Sequence, residues 1–220
     1  MNAVLPAPRR RPAAGAARRA SPRPEPPPRM NEVLDVAARL FNAHGFRQTS
    51  LAEVGAALGM NKASLYYYVR SKDELLQHLI YRAAQPLRQL AGDPALVELA
   101  PGAALERLVR EHCRVILAHP DEYGTLIRQR PHIDARALAP IATRERAYSA
   151  ALRAAIERVG ASTQAARRLD SGVATQLAMD SINSILRWYD PRGDIGETGL
   201  IDQVWLFVSR ALGVGARRPA

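Results

Sequence analysis

From residue 30 onward, apolar side chains recur every three or four positions, and no window shows the alternation of a half-buried strand. Val33, Ala37, Leu40 and Phe41 form one stripe of a helix from Met30 to about His44, and Gly45 stands where a helix C′ glycine belongs. Leu51, Val54 and Leu58 mark a short second helix, and Leu65 with Tyr68 or Val69 marks the inner side of a third, from about Lys62 to Val69. Leu75, Leu76, Leu79, Ile80 and Ala83 carry a long fourth helix, which Pro86 should kink or end. The Gly92, Pro94, Pro101 and Gly102 punctuation predicts a loop over 92–102. Beyond it the pattern predicts a helix from Ala103 to Ala118, with Leu105, Leu108, Val109 and Ile116 inward, and a short Asp121-capped helix that Pro131 ends. Long helices follow from about Ala137 to Val159 and from about Thr163 to Tyr189. After a turn at Asp190–Gly193, the last helix, about Glu197 to Leu212, repeats Leu200, Val204, Phe207, Val208 and Ala211 on its inner side. The expected fold is all-α, with about nine helices.

Residues 50–74 hold the densest local signals. Ser50 and Glu53 have the spacing of a capping box, in which hydroxyl and carboxylate each satisfy an orphan backbone N–H. Gly59 stands where the chain must reverse with positive φ. Two short helices about a glycine turn match a helix-turn-helix, whose second helix enters the major groove. That leaves Lys62, Ala63, Ser64 and Tyr67 facing outward. Ser71 and Glu74 form a second capping box at the start of the fourth helix. The expected organisation is a basic tail over 1–29, a reading head over 30–70, a helical body for ligand binding and dimerisation over 71–213, and a short tail over 214–220.

Composition narrows the function. Residues 1–29 hold seven arginines against one glutamate, six of the net charge of +10, so the rest is only modestly basic. That Pro/Arg/Ala stretch cannot offset its ordering entropy by burial and is expected to be disordered. Met30, just before the first helix, is an alternative start, and the arginines are either a solvated tail or added phosphate contacts. The single cysteine, Cys113, excludes an internal disulfide and suits a reducing cytoplasm. It reads as a buried helix residue. The five histidines are scattered, so no metal site and no cofactor are expected. No apolar run approaches the ~20 residues of a membrane span. No nucleophile, base and orienting group converge, and no phosphate-cradling glycine loop occurs, which argues against an enzyme.

From Thr49-Ser50-Leu51-Ala52-Glu53-Val54 through Gly59, then Leu65-Tyr66-Tyr67-Tyr68-Val69-Arg70-Ser71-Lys72-Asp73-Glu74-Leu75-Leu76, the sequence closely resembles the tetracycline-repressor (TetR) family over residues 30–80. It departs at Gly55, where alanine is usual, and at Val69, where phenylalanine is commoner. The resemblance implies a dimeric bacterial regulator whose affinity for a palindromic operator in double-stranded DNA is altered by a small-molecule effector in the body. Carried onto this chain, it implies that Lys62, Ala63, Ser64 and Tyr66 face base edges and that Thr49, Ser50, Tyr67 and Lys72 face phosphates. Lysine suits guanine O6 and N7, the alanine methyl a thymine methyl, and serine either base type.

Ile185-Leu186-Arg187-Trp188-Tyr189-Asp190-Pro191 is similar to the tail of family members that respond to acyl-CoA thioesters. Physically, a guanidinium and an indole side by side near a helix end can pair a CoA phosphate through Arg187 and stack an adenine on Trp188; the alternative is Trp188 at a dimer seam and Arg187 in solvent. Tyr123, Arg128, Arg130 and His132 are further ligand candidates. The last two helices are expected to join two copies as a four-helix bundle, against the alternative of a monomeric bundle core. Two other functions stay open: a ligand-independent DNA-binding protein, and an acyl-CoA carrier or enzyme.

Overall fold

The computed structural model describes residues 28–129 and 135–215; the tail before Pro28, the candidates Arg130 and His132, and residues 216–220 lie outside them. The described residues form α1 (Pro28–His44), α2 (Leu51–Ala57), α3 (Lys62–Tyr68), α4 (Lys72–Ala91), α5 (Ala95–Glu98), α6 (Pro101–Ala118), α7 (Pro120–Gln129), α8 (Ala135–Gly160), α9 (Gln164–Arg167), α10 (Ser171–Asn183), α11 (Ile185–Trp188) and α12 (Glu197–Ala211). Nine of these exceed one turn, as the periodicity predicts, and no strand occurs among the described residues.

Two apolar cores are built. In the first, Val33, Leu34, Ala37 and Phe41 of α1 pack with Val54, Leu65 and Val69, and α4 closes it with Leu75, Leu76, Leu79 and Ile80. Phe46 meets Phe41 edge-on at 5.2 Å. In the second, the far half of α4 (Ala83, Leu87, Leu90) packs with α6, α8, α10 and α12. Helix α7 serves both: Leu126 belongs to the head core and Tyr123 to the body core.

Four expectations are corrected. Pro86 neither ends α4 nor stops its register; the helix runs on to Ala91. Proline leaves the Arg82 carbonyl without its helical donor, and beside it the Tyr123 hydroxyl donates to the Ala83 carbonyl at 3.2 Å, which ties this turn to α7. The expected loop over 92–102 contains α5, and α6 begins at Pro101. This segment is held from a distance, because the Arg158 guanidinium donates to the Leu96, Val97 and Leu99 carbonyls. The single long helix expected over 163–189 is three helices. Thr163 caps α9, Asp170 caps α10 through the Val173 N–H, and Ser184 separates α10 from α11. In α12 the inner side is Leu200, Ile201, Val204, Trp205 and Val208, whereas Phe207 is 65% exposed and Ala211 is also outside.

Candidate nucleic-acid interface and effector cavity

The head is built as its local signals dictate. The Ser50 hydroxyl accepts from the Glu53 N–H at 3.2 Å while the Glu53 carboxylate accepts from the Ser50 N–H at 2.6 Å, closing the capping box. Hydrogen bonds to the carboxylate from the Ser50 backbone and, secondarily, its side chain hold the Glu53 carboxyl below its ordinary range. Gly59 has φ +63, the left-handed conformation that lets the chain reverse into α3. Asn61, which the sequence reading passed over, caps α3 by accepting from the Ser64 N–H at 2.8 Å. Its signal was available: an Asn immediately before the first helical residue. At the second expected box, Ser71 accepts from the Glu74 N–H, but the Glu74 carboxylate takes the Arg70 N–H, one residue upstream of the reciprocal partner.

On α3, Lys62, Ala63, Tyr66 and Tyr67 are exposed and Ser64 is partly so; Tyr67 stands 86% exposed. Lys62 Nζ lies 5.7 Å over the Tyr66 ring, which restrains a long side chain at the edge of the reading surface. Arg29, which the sequence places with the tail arginines, shares a shallow depression with Asn61, Ser64 and Tyr67. Ser50 is exposed.

One of the expected phosphate contacts does not hold as a side-chain contact, and a second residue carries a structural task as well. Thr49 is 1% exposed, and its hydroxyl donates to the Leu40 and Gly45 carbonyls. It ties α1 to the start of α2 and presents no hydroxyl outward. Lys72 Nζ donates to the carbonyls of Arg47 (3.0 Å) and Thr49 (2.9 Å) and lies 4.7 Å from the Phe46 ring centre. Lys72 therefore clamps the α1–α2 loop from the start of α4. Lys72→Ala is expected to lower head stability by about 1–2 kcal/mol, because it removes two charged hydrogen bonds and a cation–π interaction from a half-buried site. It should weaken binding to all DNA sequences alike. Urea midpoints and anisotropy titrations on two unrelated duplexes check both effects.

Helix α7 joins head to body. On its head side Asn42 donates to Asp121 at 2.7 Å, Arg128 donates to the Asn42 side-chain oxygen, and Thr125 faces the Ala38 carbonyl at 3.5 Å. A Cβ on Gly124 would stand 2.7 Å from Asn42 Oδ1 and 2.8 Å from Arg128 Nη2, so glycine leaves room for that side-chain pair between α1 and α7. Beside this seam Arg82 of α4 pairs with Asp35 of α1 (2.7 Å) and Glu122 of α7 (2.6 Å) and donates to the Asn31 carbonyl. Burial alone would raise the Glu122 pKa, but hydrogen bonds from His119, its own backbone and Arg82 hold it at about 2.

On the opposite side of α7 lies a cavity of about 430 Å³. Its wall is largely apolar, with Ile80, Leu87 and Leu126 prominent, and its polar members include His112, Tyr123, Tyr148 and, toward solvent, Gln176, Asp180 and Asn183. Both phenols are spent inward, Tyr123 on Ala83 and Tyr148 on the Leu108 carbonyl at 3.0 Å. His112 is buried and edge-on to Tyr148, and burial pushes its pKa down to about 3. Cys113 beside it is buried, its thiol pushed up to about 12, as its reading as an inert core residue predicts.

Of the described ligand candidates only Tyr123 lines this cavity. Arg128 is exposed and committed to Asn42 at the head seam. Arg187 and Trp188 stand at the exposed end of α11, Trp188 being 59% exposed with its indole N–H on the Ser184 hydroxyl. Sequence reasoning missed His112 and Tyr148, weighing the histidine only as a metal ligand. Among the described residues no cluster of His, Cys, Asp and Glu could hold a metal ion, and no helix is long and apolar enough to cross a membrane.

Residues 33–79 match the family profile described as bacterial regulatory proteins, tetR family, and residues 98–212 match a tetracyclin repressor-like C-terminal domain. The chain belongs to the TetR family. A curated relative, the HTH-type transcriptional repressor DrrR1 of Streptomyces coeruleorubidus, is 35% identical over 106 residues, 47% of this chain and 37% of that one. The chain thus spans well under half the length of that TetR-type relative. Among solved structures, the TetR family regulator PfmR of Thermus thermophilus superposes with a TM-score of 0.70 at 24% identity, over 84% of this chain and 99% of that one. AibR, solved in complex with isovaleryl coenzyme A and operator DNA, gives 0.69 at 23%, over 84% and 98%. At these identities the structural likenesses establish the TetR fold.

Proposed function

We propose that this TetR-family protein is a ligand-responsive repressor that binds a palindromic operator as a homodimer and leaves it when an effector fills the body cavity. The observation that carries the reading is the double membership of α7, whose one side lines the cavity through Tyr123 and Leu126 and whose other side holds α1 through Asp121, Thr125 and Arg128. A ligand can bias DNA affinity only through contacts that differ between the two states, and α7 places such contacts one helix width from the head.

Dimerisation is assigned to α10 and α12. Val173 and Leu177 on one, and Leu206 and Phe207 on the other, are exposed apolar side chains on helices that touch each other. Two heads held one helical turn apart, ~34–36 Å, read a palindrome that a single short helix cannot specify. On α3, Lys62, Ala63, Ser64 and Tyr66 are assigned to base edges; Tyr67 and Ser50 are assigned to phosphates.

For the effector, an acyl-CoA thioester is the class we favour. The AibR complex shows that the fold accommodates one. In this chain the cavity-lining Asn183 is followed one turn later by Arg187 and Trp188. An acyl group inside would leave its nucleotide projecting toward that guanidinium and indole. Two CoA features, phosphate charge and a stacking base, suit those side chains.

Selection from a randomised duplex library with the full chain is expected to return a two-fold-symmetric site bound by two protomers, with affinity falling steeply as salt rises. Recovery of asymmetric sites bound by one protomer would sink the reading. In the same selection Lys62→Ala is expected to relax preference at one base pair per half-site, a loss of about 1–3 kcal/mol of discrimination there. Unchanged preference would remove Lys62 from the base-reading set.

A further inference from the structure

We propose that His112 receives the polar end of the effector, and that this end is an uncharged carbonyl on an otherwise apolar chain. The inference rests on the reading of the body cavity as the effector site and names the chemistry that site selects.

Among the tyrosine and histidine side chains of the wall, the imidazole is the one with a proton left to donate. Tyr123 and Tyr148 have each given their proton to a helix carbonyl. His112 is fully enclosed, stacked edge-on against Tyr148 with ring centres 4.9 Å apart, and its Nδ1 finds no partner in the protein.

The protonation state follows from the surroundings. Burial holds the imidazole uncharged at neutral pH, its pKa being about 3. An uncharged imidazole carries one N–H. Nδ1 is enclosed without a partner whereas Nε2 is not shut in, so the tautomer that keeps its N–H where a partner can reach it carries the proton on Nε2 and leaves Nδ1 as the bare acceptor. The ring therefore offers one N–H donor to an occupant of the cavity. Its complement is an acceptor that brings no charge. A carboxylate would have to be desolvated opposite a neutral donor, in a cavity that Glu145 also lines. An ester, thioester or ketone carbonyl meets the donor without that cost, while Ile80, Leu87 and Leu126 take the chain. The carbonyl can arrive as the thioester of a CoA conjugate or as a free ester, and the shared chemistry is the same.

The experiment is calorimetric titration of the full chain with three probes of one chain length: octanoyl-CoA, methyl octanoate and octanoate. At least one of the two carbonyl probes is expected to bind, and octanoate to bind at least tenfold more weakly. Binding by octanoyl-CoA alone assigns the source to the thioester, by methyl octanoate alone to a free ester, and by both to the chain and carbonyl irrespective of source. His112→Phe is expected to weaken the binding probe about tenfold, as expected for one buried hydrogen bond. His112→Gln, which keeps an N–H donor, should stay within about threefold of wild type and guards against a merely structural effect. Affinity for the carbonyl probe should be flat from pH 5 to 8. The inference is overturned if octanoate binds as tightly as the carbonyl probes, if neither carbonyl probe binds, or if His112→Phe binds unchanged. A carbonyl probe that binds through His112 without altering operator affinity would instead overturn the effector reading and leave the anchor in place.

Discussion

Replacing Leu177 and Phe207 together with aspartate is expected to yield a folded monomer whose operator affinity is lower by more than a hundredfold. Both side chains are largely exposed in the single chain, Phe207 by 65% and Leu177 by 60%, so neither supports the body core. Substitutions at such positions ordinarily move stability within about ±0.5 kcal/mol. In an interface each would instead bury a carboxylate against its symmetry mate, and like charges brought together in a desolvated seam cost several kcal/mol. The loss of DNA affinity follows from tethering. Once one head is bound, the second binds at an effective concentration set by the dimer, and avidity of this kind commonly exceeds single-head affinity by about 10²–10⁴. Sedimentation velocity and anisotropy titration on the selected operator measure the two effects. A double variant that remains dimeric places the interface elsewhere on the chain.

Glu122→Ala is expected to lower stability by about 2–4 kcal/mol and to uncouple the head from the cavity. Its carboxylate is enclosed, accepts from Arg82 at 2.6 Å and meets His119 at 3.4 Å, and removing one member of a buried ion pair leaves the other charge under-compensated. Asp35 still faces Arg82, which keeps the cost below that of an isolated pair. Because the folded pKa of Glu122, about 2, lies below its unfolded value, its stabilisation is complete above about pH 4.5 and fades as the pH falls toward 2. The stability difference between wild type and variant should therefore be constant at neutral pH and shrink through that acid window. Guanidinium titrations at pH 7 and pH 3 test it. The functional readout is the ratio of operator affinities with and without the binding carbonyl probe, which should approach one in the variant.

The head was legible because its determinants are local. The Ser50/Glu53 box, the glycine at φ +63 and the stripe on α1 each lie within a few residues of the backbone they control. What stayed hidden there was side-chain commitment. Thr49 carries the right chemistry for phosphate, yet its hydroxyl is taken up by carbonyls that only the packed head brings to it, and Lys72 is drawn onto two carbonyls of the α1–α2 region in the same way. In the body, the element breaks depend on distant partners. Nothing within 92–102 announces α5, because its carbonyls are gathered by Arg158 some sixty residues on. Proline at 86 reads as a stop because it removes a helix donor, while the helices α6, α7 and α8 that pack on α4 and carry it through lie far off in sequence. Of the cavity only Tyr123 was legible, since His112, Tyr123 and Tyr148 come from three helices and none belongs to a motif. Phe207 was assigned inward from its period alone, which cannot distinguish a helix with one apolar face from one with two.

The placement of Leu126 in the head core and Tyr123 in the body core bears on how far this chain can be treated as modular. A chimera joining residues 30–80 to a foreign body would lose the leucine that seals the head and gain whatever the new seventh helix presents there. Grafting Asp121, Glu122, Gly124, Thr125, Leu126 and Arg128 along with the head would carry over both the seal and the groups that grip α1. The smallest transferable reading unit is therefore discontinuous in sequence.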